Sequence, residues 1–148
     1  MKAKLLLIAT LGALAAADAP KDDASAKDLK KLQGDWAAVS MVVDGEKIPD
    51  DEAQALFRTI KDNEYTVFRF NKAIGKGKFK LDATKKASTI DVFPANAAPN
   101  AKPILGIYEL DDNTLKFCYA RPGKDRPTDF SAKQGSGHTL TVWEREKK

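Results

Sequence analysis

The chain has 148 residues, a formal net charge of +4, and only one cysteine and one histidine. Length predicts a single domain. A lone thiol excludes an internal disulfide, and one His with one Cys excludes a zinc or iron site, which needs several nitrogen or sulfur ligands at set spacing.

Lys2 and Lys4 precede an apolar run from Leu5 to Leu14. The run has signal-peptide length and is too short to cross a bilayer as a helix. Ala15-Ala16-Ala17 offers small residues for cleavage before Asp18; Ala17-Asp18-Ala19 is a second frame, disfavoured by Pro20 just after the cut. Residues 1–17 are therefore expected to be a signal peptide, and the mature protein to be exported, periplasmic or extracellular. No Cys follows the run, so neither a lipid anchor nor membrane insertion after cleavage is expected. Losing Lys2 and Lys4 lowers the charge to +2. That is too mild for a dedicated nucleic-acid binder, which needs a concentrated phosphate-facing patch. Residues 18–27 are polar, charged and small, and read as a flexible tether. Residues 28–148 are expected to form the domain. Its stability must come from its core, and a domain of this order buries roughly two thirds of its unfolded-chain surface.

Leu29 and Leu32 sit at helical spacing and predict one or two turns leading into Gly34. Trp36 to Val43 is apolar and Val-rich, as in a strand covered on both sides. Asp44-Gly45 is a tight-turn signal. Pro49-Asp50-Asp51-Glu52 reads as a helix start, with acids near the positive end of the dipole. Residues 56–61 fit helix or strand; a short helix to about Leu56 and then a strand is the favoured division. Short strands follow at Glu64–Phe70, Gly75–Leu81, Ser88–Phe93, Ile104–Leu110, Thr114–Ala120 and Thr139–Arg145. In the second of these, Gly75, Gly77, Phe79 and Leu81 face one way and Lys76, Lys78 and Lys80 the other. Residues 94–103 and 121–137 read as loops. About eight short strands with turns between neighbours mean a sandwich or an up-and-down barrel. The fold expected is mostly β: an antiparallel barrel of about eight strands, or a strongly curved sheet.

Gly34-Asp35-Trp36, a G-x-W on the first strand, resembles the lipocalin and calycin signature. The resemblance implies that Trp36 packs at the barrel base beneath a basic residue of the last strand, for which Arg145 is the match. Gly34, Trp36 and Arg145 are thus structural candidates. The chain is also similar, over roughly residues 29–147, to a family of small exported lipocalin-like domains of unknown function abundant in planctomycete bacteria. The matching segments include Leu32-Gln33-Gly34-Asp35-Trp36, Gly77-Lys78-Phe79-Lys80-Leu81-Asp82, Gly106-Ile107-Tyr108-Glu109-Leu110 and Arg126-Pro127-Thr128-Asp129-Phe130. The resemblance implies the fold and export, and no activity.

Nothing nominates a catalytic set. Cys118 and His138 are a conceivable nucleophile pair, but Cys118 lies between Phe117 and Tyr119 and reads as a small core filler. Asp50-Asp51-Glu52 and Asp111-Asp112-Asn113 lack the ligand pattern of a calcium loop. Lys76, Lys78 and Lys80 read as a solvated strand face. The expectation is a non-catalytic binding module without cofactor or metal. It would take a small apolar or amphipathic ligand, or a peptide. Phe79, Tyr108, Phe117 and Tyr119 would line the interior, and Arg121 or Arg126 would stand near the mouth. The alternative is a structural or protein-interaction domain of the cell envelope with a filled interior.

Overall fold

The computed structural model describes residues 22–147. The expected signal peptide and residues 18–21 lie outside them. In chain order the elements are α1 (Asp23–Leu32), β1 (Gly34–Val43), β2 (Glu46–Lys47), α2 (Asp50–Gln54), β3 (Leu56–Lys61), β4 (Glu64–Arg69), β5 (Lys72–Asp82), β6 (Ser88–Pro94), β7 (Ile104–Leu110), β8 (Thr114–Tyr119) and β9 (Thr139–Arg145).

Eight of the strands, β1 and β3 to β9, close into an antiparallel barrel. Each is hydrogen-bonded to its neighbours, and β9 returns to β1 with Trp36 opposite Arg145 and Val43 opposite Thr139. Closure removes the sheet edges that an open sandwich would expose. The turns explain the path. Asp44 and Gly45 both have positive φ, +49° and +85°. This is the primed geometry that a two-residue hairpin prefers, and it folds β2 back onto the end of β1. Phe70 and Asn71, at +49° and +63°, make the equivalent turn between β4 and β5. The region 56–61 resolves as expected: α2 stops at Gln54, and β3 begins at Leu56.

The helix α1 corrects the sequence reading of a tether to Lys27. It begins at Asp23, four residues inside that segment's end. Composition misses it because its order comes from tertiary contacts, one of which lies within the expected tether itself. Ser25 is fully buried. Its hydroxyl donates to the Asp22 carboxylate (2.8 Å) and accepts from the Ala83 backbone N–H at the end of β5 (2.8 Å). Asp22 also caps the helix by accepting from the Ser25 N–H (2.7 Å).

The helix lies across one end of the barrel and closes it. Trp36 is fully buried there, and its indole N–H donates to the Leu32 carbonyl (2.9 Å). The Arg145 guanidinium sits 4.3 Å from the Trp36 ring centre. It donates to the carbonyls of Gln33 (2.7 Å), Asp112 (3.0 Å) and Lys31. Tyr108 donates to the Asp28 carboxylate (2.7 Å), tying β7 to the same helix. Burial and that carboxylate hold the Tyr108 phenol protonated far above its ordinary range.

A second, smaller core lies outside the barrel wall. The chain between β8 and β9 folds back over the outer face of β6 to β8. It covers the buried side chains of Ile107 and Cys118 with Ala120 and Ala132. Arg126 fastens it, donating to the Asp91 carboxylate (2.7 Å) and to the carbonyls of Gly106 (2.8 Å) and Ile90 (3.1 Å).

Candidate ligand-binding site

Alternation fixes which side chains meet inside. On β3, Leu56, Arg58 and Ile60 share the inner face, and Leu56 and Ile60 are almost wholly buried. On β8, Leu115, Phe117 and Tyr119 do the same, packing in the core around Trp143 of β9. These side chains do not fill the barrel. A cavity of about 240 Å³ runs along the interior. Leu32 of α1 lines its closed end, together with Ile60 near the end of β3. Val67, Val92, Ile104 and Tyr119 line it at the strand ends away from α1. Tyr65, Phe79, Ile90 and Phe117 complete the apolar wall.

The rim is formed on β5 by Ile74 and Gly75. Ile74 is 57% exposed. A Cβ at Gly75 would meet nothing within 4 Å, so the glycine leaves room that a larger residue would occupy. Gly77 has a different reason. A Cβ there would lie 2.4 Å from the Phe93 carbonyl oxygen and 2.9 Å from the Tyr65 hydroxyl, so only glycine admits this approach of β6.

Of the six residues nominated from sequence, the cavity brings together Phe79, Phe117 and Tyr119. Tyr108, Arg121 and Arg126 are not among its lining residues. Tyr108 is turned to α1 by its bond to Asp28. Arg126 is outside the barrel, paired with Asp91. Arg121 is exposed and packs against Gly137 in the outer loop. The basic residues expected at the mouth therefore hold a flap in place. Cys118 is on the outer side of its strand, and its thiol donates to the Ser131 carbonyl (3.4 Å). Burial pushes the thiol up, the opposite of the thiolate a nucleophile needs. Lys76, Lys78 and Lys80 are exposed on the outer face of β5.

The interior holds a cation that the sequence reading passed over. Arg58 reaches inward from β3, with its guanidinium carbon 4.8 Å from the ring centres of both Phe117 and Trp143 and 5.6 Å from that of Tyr65. Its Nε is buried without a hydrogen-bond partner. Among the described residues no carboxylate pairs with it; the ion pairs present involve Lys31, Lys47, Arg69 and Arg126. Three aromatic faces recover part of the lost hydration, each about 0.5–2 kcal/mol. Removing a charge from water costs several kcal/mol. Burial also pushes the Tyr65 phenol up, against the opposing pull of Arg58. The signal was available in the sequence: Leu56-Phe57-Arg58-Thr59-Ile60, read as a strand, puts Arg58 in phase with Leu56 and Ile60.

Together the fold and the cavity define a small closed β-barrel with an apolar interior site, open at the end away from its helix. No protein-family model matches the chain, and no curated protein matches it.

Proposed function

We propose that this is an exported, non-catalytic binding module that takes one small apolar or amphipathic molecule into its barrel. The reading rests on the cavity. A space of about 240 Å³ with a mostly apolar wall and an exposed rim is what a ligand site requires. An apolar cavity of about 150 Å³ accepts a benzene ring. By that ratio, this one takes a molecule of roughly ten non-hydrogen atoms. Membership of the lipocalin-like exported domains, and export itself, belong to the same proposal and rest on the G-x-W segment and the residues before Asp18.

Titration with 1-aminonaphthalene, an uncharged fluorescent probe of about this size, tests the reading. Saturable binding to one site is expected, weakened by Gly75→Leu, whose side chain would enter the open rim. Absence of saturable binding by this and other small apolar probes would remove the proposal.

A second reading is a protein-interaction domain of the cell envelope. It is favoured by the β4–β5 hairpin tip, where Phe70 is 73% exposed beside the exposed Ile74. A bulky residue with positive φ there is unusual.

A further inference from the structure

We propose that Arg58 is the anion-binding group of the barrel, and that the ligand is a small monocarboxylate with an apolar tail, held with its carboxylate inside the barrel at Arg58. This rests on the reading of the barrel as a binding module and names the class of molecule it takes.

A guanidinium carries five N–H donors and cannot lose its charge to escape burial. The faces of Phe117, Trp143 and Tyr65 meet the cation electrostatically, but rings do not satisfy donors in the guanidinium plane. The Nε donor has no acceptor. Two other arginines of the fold, Arg145 at the closed end and Arg126 outside the barrel, are treated differently. Arg145 spends its donors on three carbonyls, and Arg126 has a carboxylate and two carbonyls. Arg58 alone of the three has a buried Nε left without an acceptor, and it alone lines the cavity.

A carboxylate supplies what is missing. It matches the planar fork of a guanidinium with two parallel charge-assisted hydrogen bonds, and it neutralises the charge in a setting where an unpaired ion is costly. The remaining wall is hydrocarbon and aromatic: Val67, Ile74, Val92 and Ile104 face what would be the tail. A cation entering the same space would meet Arg58 as a like charge. An uncharged molecule of the same shape would leave the guanidinium unpaired. Discrimination therefore follows the charge of the ligand's head, while the volume limits its tail to a chain of about eight carbons.

Three ligands of equal chain length separate these terms: octanoate, 1-octanol and octylamine. Calorimetric titration of the full chain gives the affinities. The emission of Trp143, one of two tryptophans, reports events at Arg58. Octanoate is expected to bind at least about tenfold more tightly than octanol, and octylamine more weakly than either. Arg58→Met, close in length and uncharged, should bring octanoate down to the affinity of octanol. Arg58→Lys, which keeps the charge but not the paired donors, should fall between them and provides the check if the Met variant folds poorly. Equal binding of octanoate and octanol would overturn the assignment of Arg58 and leave the binding module standing. So would a preference for octanoate that survives in Arg58→Met. Failure of all three ligands and of uncharged probes would overturn both.

Discussion

Two arginines of this barrel stand over tryptophan rings, and they illustrate opposite uses of the same side chain. At the closed end, Arg145 covers Trp36 at 4.3 Å and gives its donors to the carbonyls of Gln33, Asp112 and Lys31. In the interior, Arg58 stands 4.8 Å from Trp143 with a buried Nε that finds no acceptor. The first joins a helix end, a turn and the last strand into one plug. The second joins nothing by hydrogen bonds and faces a space. A satisfied cation is a fastener; an unsatisfied one beside a cavity is, on the proposal above, the group that a carboxylate ligand would meet. The distinction turns on where the N–H groups point, since the cation–aromatic contacts are common to both.

Breaking the closed end should have the largest effect. Trp36→Ala empties a fully buried indole and is expected to cost about 3–5 kcal/mol in urea unfolding. Arg145→Ala should cost less, about 2 kcal/mol, because its side chain is only half-buried and its carbonyl partners regain water. The double variant should lose less than the sum, since the two side chains touch. Strict additivity would mean that the plug is not one unit.

A smaller effect is expected at Tyr108, the other tie to the helix. Tyr108→Phe removes a hydrogen bond to the Asp28 carboxylate and should cost about 1–2 kcal/mol at pH 8. The folded phenol titrates well above the unfolded value of 10.0. Its contribution is therefore fully present below pH 10 and is lost as pH rises further, because the unfolded chain gives up that proton while the folded one keeps it. Urea midpoints of wild type and variant should approach one another between pH 8 and pH 11. A gap that stays constant over that range would contradict the assignment.

The smallest change, and the one of opposite sign, should come from Arg58. Replacing a half-buried charge that has no acidic partner with a hydrocarbon of similar length is expected to be neutral or stabilising by less than about 1 kcal/mol, because the relieved desolvation is offset by the lost contacts with three rings. Arg58→Met should therefore unfold at an equal or higher urea concentration than wild type. A loss comparable to that of Arg145→Ala would show that Arg58 is a fastener too, and the contrast between the two ends would fail.

The fold was legible because its determinants are local. Period-two patterning and turn residues such as Asp44-Gly45 located eight strands whose pairing now closes the barrel. Arg145 opposite Trp36 was legible through the G-x-W resemblance. What escaped depends on contacts between distant segments. Asp22 to Lys27 reads as linker until Ser25 is seen bonded to Ala83. Arg126 reads as a mouth residue until Asp91 and the Gly106 carbonyl claim it. Tyr108 alternates correctly for an inner wall, yet its hydroxyl is drawn to Asp28. Half of the aromatic and basic set placed in the site is in the cavity wall. Arg58 was missed for a different reason: residues 56–61 fit helix or strand, and although strand was favoured from Leu56 onward, the inner and outer faces of so short a run were not assigned.

The closure of β9 onto β1 also has a consequence for how the molecule is made. Every other neighbouring pair in the barrel is adjacent or nearly adjacent in the chain, so its contacts need only comparatively short loops to close. The seam between Trp36 and Arg145 joins residues more than a hundred positions apart, and contacts of such separation form late. Until β9 is available, β1 and β8 each present a bare edge, the geometry that invites pairing between molecules. A chain stopped before Thr139 would be caught in that condition permanently, with Trp36 lacking both its lid and one of its two neighbouring strands.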